Sequence, residues 1–162
     1  MYKRSKQLSV FLENKPGELS RMAKMLGDHG INILAMSIQD PAEHIQGLFR
    51  AREVTLRRIA STASYSAILK EASLLTLIRF VTSETEKSVK ILKEAGYSVN
   101  TGEVILTVMD HRPGMLAAIS ECLAKEGINI DYTYGSSLEE MEKALFVFHV
   151  SDIKAALKAL NK

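Results

Sequence analysis

The sequence predicts an α+β protein made of two β-α-β-β-α-β modules, each an antiparallel sheet with its helices on one face. The chain repeats itself: Glu13-Asn14-Lys15-Pro16-Gly17-Glu18-Leu19-Ser20 returns as Asp110-His111-Arg112-Pro113-Gly114-Met115-Leu116-Ala117, 113 − 16 = 97 positions on. The same offset carries Leu26 onto Leu123 and Gly30-Ile31-Asn32-Ile33 onto Gly127-Ile128-Asn129-Ile130, so two copies of one module fill the chain. The hydrophobic period also changes from two to 3.6 across each Pro-Gly, where a strand gives way to a helix.

Residues 7–13 set Leu8, Val10 and Leu12 against Ser9, Phe11 and Glu13, a strand. Pro16 and Gly17 end it. Leu19, Met22, Ala23 and Leu26 then recur at helical spacing until Gly30 supplies a stop, and residues 32–39 return as a strand. Leu77-Ile78-Arg79-Phe80-Val81 resembles Leu145-Phe146-Val147-Phe148-His149 at an offset of 145 − 77 = 68, which leaves the first module 97 − 68 = 29 additional residues. Asp40 reads as an N-cap, Pro41 as the first helical residue and Glu43 as the closing member of a capping box. Ile45, Leu48, Phe49, Leu56 and Ile59 share one helical face, predicting a helix over 41–59 and a shorter one over 65–72. Arg52 falls inside that apolar stripe, while Arg50, Arg57 and Arg58 lie on the opposite, solvated flank. A strand over 74–82, a helix over 84–95 stopped by Gly96, and a strand over 97–100 complete the module. The second runs as strand 103–110, helix 114–125, strand 129–134, a turn at Gly135-Ser136-Ser137, strand 143–150 and helix 152–160. The modules are assigned to 1–101, with the insertion at about 41–73, and 102–162, the last strand of the second being absent.

Either Pro-Gly turn alone is weak; both, each followed by a helix and Gly-Ile-Asn-Ile, closely resemble the ACT domain, a regulatory module that binds amino acids. The resemblance implies ferredoxin-like modules and a ligand held where two modules meet, by this turn of one and the second strand of the other. Carried over, the ligand residues are Asn14, Lys15, Pro16, Gly17 and Asn32 in the first module, and His111, Arg112, Pro113, Gly114 and Asn129 in the second. His111 departs from the family's usual asparagine. The turn suits an anion on physical grounds too: proline fixes one dihedral, glycine permits close backbone approach, and free amides at a helix start favour a carboxylate. The competing reading, that Pro-Gly is only a turn and that Asn32 and Asn129 bond their own backbone, is bland and self-sufficient.

Apolar residues at 46% supply a core, while charged residues at 25% and a net charge of +2 describe an ordinary surface without the basic field of a nucleic-acid binder. No stretch is apolar enough to span a membrane, and the single Cys122 reads as a packing residue in a reducing, cytoplasmic setting. His29, His44, His111 and His149 are scattered without zinc-ligand spacing, and no phosphate loop or nucleophile elbow is present; neither cofactor nor metal is expected. Strands apolar on both faces, at 104–109 and 145–148, predict a homodimer or larger assembly. The expected function is a non-catalytic amino-acid sensor that signals to a metabolic enzyme or through oligomeric state. Its alternatives are the regulatory small subunit of a biosynthetic enzyme such as acetolactate synthase, which the start of the chain resembles, and a stand-alone enzyme.

Overall fold

A computed structural model of the chain describes residues 2–51, 62–136 and 143–161. The elements run β1 (Tyr2–Glu13), α1 (Glu18–Asp28), β2 (Ile33–Gln39), α2 (Pro41–Ala51), α3 (Thr62–Ser73), β3 (Leu75–Thr82), α4 (Thr85–Glu94), β4 (Val99–Asp110), α5 (Met115–Lys125), β5 (Ile130–Ser136), β6 (Lys143–Val150) and α6 (Ile153–Leu160). The expected order of strands and helices is present; Gly135 and Ser136, expected in a turn, extend β5 and pair with β6, and β1 and β4 differ as well. The predicted strands at 97–100 and 103–110 are one continuous β4, and β1 begins at Tyr2 rather than near residue 7.

The differences in β1 and β4 have one cause, the topology of a single six-stranded antiparallel sheet in the order β2-β3-β1-β4-β6-β5. The second half of β1 pairs with β3, Leu8 opposite Phe80 and Glu13 opposite Leu75. Its first half pairs with β4, Tyr2 opposite Thr107 and Gln7 opposite Gly102. Residues 2–7 thus lie beside the first strand of the second module, where the absent last strand belongs. That flank of β4 is therefore covered by the chain itself. Tyr2 packs into the second core, and Asn161 Nδ2 donates to its carbonyl across 3.3 Å, tying the end of α6 to the start of β1.

Leu8, Val10 and Leu12 of β1, with Ile78 and Phe80 of β3, pack against Met22 and Leu26 of α1 and Leu92 of α4. Ile105, Met109 and Phe148 do the same with Ile119 and Leu123 of α5 and Ala156 of α6. Strand alternation sends the neighbouring residues to the other face, and there Ala35, Val81, Val104, Leu106 and Val147 form a third cluster. These come from both modules, and β2 and β5, the two ends of the sheet, touch each other. The sheet is therefore curled, with its helix-free face inward. Much of the second apolar face that called for another chain is buried within one chain, although Phe11 and Val108 stay 44% and 54% exposed.

In the insertion, Asp40 caps α2, its Oδ1 accepting from the amides of Ala42 at 2.8 Å and Glu43 at 3.4 Å. α2 packs against α3, and both reach β3. The continuation of the first helix to residue 59, with Arg52, Leu56, Arg57, Arg58 and Ile59, lies outside the described residues, as does the Ser137 end of the predicted turn.

Candidate functional site

The two Pro-Gly turns are built alike. Gly17 has φ 93° and Gly114 φ 88°, each standing as helix N-cap without a capping side chain. Any residue with a Cβ pays about 1–2 kcal/mol in that left-handed conformation, which explains glycine at both positions. Lys15 N–H donates to the Glu13 carbonyl at 2.9 Å and Arg112 N–H to that of Asp110 at 3.1 Å, so each chain reversal closes in the same way.

Their surroundings differ. Asn14 is tied to the end of the insertion, its amide N–H donating to the Leu74 carbonyl at 2.8 Å and its Nδ2 to that of Ser73 at 3.2 Å. The Lys15 ammonium pairs with Glu13 and stands 3.8 Å from Glu18. Its hydrogen bond and charge hold the Glu13 carboxyl below the usual range. In the second turn Arg112 Nε contacts the Met115 sulfur at 3.3 Å, Asp110 pairs with Lys143, and His111 is exposed.

Asn32 exchanges backbone bonds with Ser83: its N–H donates to Ser83 Oγ at 3.1 Å and its carbonyl accepts from Ser83 N–H at 2.9 Å. Asn129 repeats this with Ser151, at 3.0 Å for each bond. These bonds join main-chain groups of the asparagines to Ser83 and Ser151 rather than an asparagine side chain to its own backbone, so the side chains are still to be accounted for. Asn129 Nδ2 donates to Asp131 Oδ1 at 2.8 Å, and Asp131 Oδ2 accepts from His149 Nδ1 at 2.9 Å. The Asn129 bond, then that of His149, lowers the Asp131 carboxyl. Leu34 occupies the position equivalent to Asp131, so Asn32 has no such neighbour.

Within one module the turn and the asparagine lie at opposite ends of the sheet. Asn14 adjoins the Leu75 end of β3 and Asn32 the Thr82 end, an along-strand separation of about 23 Å at 3.3 Å per residue. A site that uses both must therefore combine two modules.

Sequence reasoning missed a polar clasp on the inner face. Gln7, 1% exposed, donates from Nε2 to Tyr132 Oη at 2.8 Å, and its Oε1 accepts from the Tyr134 hydroxyl at 3.0 Å. The Arg79 guanidinium lies 4.5 Å over the Tyr132 ring and donates to Gln39 Oε1 at 2.8 Å. His149 stacks on the same tyrosine at 4.7 Å. The one available signal was the pair of tyrosines at alternate positions on β5. Burial first, then the neighbouring Tyr132, raises the Tyr134 hydroxyl above its ordinary value of 10.0. A folded value above the unfolded one gives a contribution fully present below pH 10 and lost as pH rises through the folded value. Melting temperature is accordingly expected to fall on the alkaline side of pH 10. Tyr134→Phe should flatten that limb while costing about 1 kcal/mol at neutral pH for the lost hydrogen bond. Thermal scans across pH read both effects.

The duplicated turn, helix and strand within an α+β fold define a pair of small, like modules. The chain belongs to the ACT family: a model described as ACT domain pair matches residues 45–160, and one described as ACT domain matches residues 6–73. ACT domains are regulatory modules. Among solved structures the chain is similar to protein BT0572 from Bacteroides thetaiotaomicron, at 26% identity and TM-score 0.71, over 99% of this chain and 88% of that one. It also shares its fold with the ligand-free regulatory subunit of aspartate kinase from Thermus thermophilus, at 12% identity and TM-score 0.58 over 99% and 94% of the two chains. A structure of aspartokinase alpha and beta subunits matches at 17% identity and TM-score 0.55, over 99% of this chain and 94% of that one. No curated protein matches the sequence. No helix among the described residues is long and apolar enough to cross a membrane.

Proposed function

We propose that the chain is a non-catalytic regulatory protein of the cytoplasm that binds an amino acid where modules meet and passes its occupancy to a partner enzyme or to oligomeric state. The duplicated Pro-Gly turn carries this reading. A left-handed glycine at each helix start leaves the first amides without a capping side chain, and these suit a carboxylate.

For the second copy needed to complete the first site, β2 offers a docking strand, although it also touches β5 within the chain. β2 is an edge strand without a charged residue, and its Leu34, Met36 and Ile38 are 40%, 37% and 49% exposed. Edge strands of this composition invite pairing. Antiparallel pairing of β2 with the β2 of a second copy about Met36 sets Asn32 of one against Asp40 of the other, just beyond Gln39 at the end of the sheet that bears Asn14 and Gly17. β5, the other edge, carries Asp131, Thr133 and Gly135 instead and is poorly suited to pairing with itself. Ligand-binding residues in the first site are therefore Asn14, Lys15, Pro16, Gly17 and the second copy's Asn32. The second turn, with His111, Arg112, Pro113 and Gly114, and its Asn129 already bonded to Asp131, is the weaker site.

A thermal-shift series over the twenty amino acids tests the reading. Ligand at a hundred times its dissociation constant adds about 2.7 kcal/mol per site, a shift of about 5–10 °C for a chain of this size. Asn32→Ala should remove most of the shift and leave the unliganded melting temperature within a few degrees, whereas Asn129→Ala should change it little. A flat response to all twenty would reject amino-acid sensing.

A further inference from the structure

A depression of about 350 Å³ opens beside the first turn, lined by Glu13, Asn14, Lys15, Ser73, Leu74 and Leu75. That volume is at the small end of ligand sites. Its wall is divided chemically. On one side stand a carboxylate, an ammonium and an amide; on the other, Leu74 and Leu75 remain 56% and 40% exposed, although both are large and apolar. The amide is only half used: Asn14 Nδ2 is spent on the Ser73 carbonyl.

We infer that this depression receives an α-amino acid with an apolar side chain, and that Leu74 and Leu75, where the insertion leads into β3, are its specificity determinants. The inference rests on the amino-acid reading above and narrows its ligand class. Zwitterion and wall are complementary. The ligand ammonium meets Glu13 and Asn14 Oδ1, the ligand carboxylate meets Lys15, and the aliphatic side chain covers the two leucines. Glu13 and Lys15 already pair with each other, so a ligand carrying both charges side by side exchanges one ion pair for two and leaves no charge unpaired. A ligand with only one of the charges strands the other partner. Occupancy also reaches the insertion directly, because Asn14 holds the Ser73 and Leu74 carbonyls where α3 ends.

The test measures binding of L-leucine, L-isoleucine, L-methionine, L-serine, L-aspartate and L-lysine, with 4-methylpentanoate and 3-methylbutylamine as leucine analogues lacking one charge each. The apolar amino acids should bind at least about tenfold more tightly than the polar ones and than either analogue. Leu74→Asp, at an exposed position, should keep the unliganded melting temperature and weaken leucine about tenfold or more. Leucine should also slow hydrogen exchange in α3. Equal or tighter binding of serine, aspartate or lysine, or undiminished leucine binding by Leu74→Asp, would overturn the apolar specificity while leaving amino-acid sensing intact, and an analogue matching leucine would overturn the recognition of both charges by Glu13 and Lys15. Absence of binding by every amino acid would overturn both.

Discussion

A chain lacking residues 1–6 is expected to lose the second module as a stable unit. Those residues contribute little core, since Lys3, Arg4 and Lys6 are exposed, but they form the ladder that covers β4. Without them the pairing of Val104, Ile105 and Leu106 with Ser5, Arg4 and Lys3 is lost, and an apolar strand becomes an open edge. Each lost ladder bond costs about 1 kcal/mol net, and the removal of Tyr2 also takes a side chain from the core under α6. Against a typical domain stability of about 5–15 kcal/mol, the sum leaves little margin. Hydrogen exchange should show β4 from Gly102 to Thr107 and helix α6 losing protection, and the truncated protein should aggregate on mild warming. Native-like protection across β4 in a monodisperse truncated protein would show that the N-terminal half-strand is dispensable.

That half-strand also shows where sequence reading stops. The Pro-Gly turns were legible because their cause is local: a positive φ demands glycine, and the chain must reverse between a strand and a helix. The start of α2 was legible for the same reason, an aspartate capping the amides two and three residues on. Residues 2–7 were not, because Lys3, Arg4 and Lys6 blur the alternation and their partners lie about a hundred positions away. Thr101-Gly102 reads as a break between strands, yet with β1 alongside the ladder runs through it, Leu8 opposite Thr101 and Gln7 opposite Gly102. The apolar second face was correctly found and partly misassigned, since Val104, Leu106 and Val147 meet Ala35 and Val81 of the same chain. The clasp of Gln7 with Tyr132 and Tyr134 joins residues 125 and 127 positions apart, and the alternate tyrosines of β5 do not by themselves point to Gln7. For the candidate site the residues were legible, but the separation of turn and asparagine along β3 was not. That separation gives the edge of β2 its importance.

Phe80→Ala and Phe148→Ala are expected to destabilise the protein by similar amounts and to leave one melting transition in each case. The two phenylalanines occupy equivalent positions in β3 and β6, and both are fully buried, one under α1 and α4, the other under α5 and α6. Truncation to alanine removes a ring from a packed core and costs about 3–5 kcal/mol. At about 2–4 °C per kcal/mol for a chain of this size, melting should fall by about 6–20 °C. Two separate domains would answer differently, with one unfolding early and the other melting at the wild-type temperature. The structure leaves no place for that separation. β1 is the central strand of the first module and the edge that closes the second, β4 crosses the boundary between them without a break, and the third apolar cluster draws on β2, β3, β4 and β6 at once. Loosening either core therefore frees a strand on which the other depends. Calorimetry on the two variants decides the matter: a retained transition at the wild-type temperature in either one would show that the modules fold independently, and that the shared strands join them without coupling them.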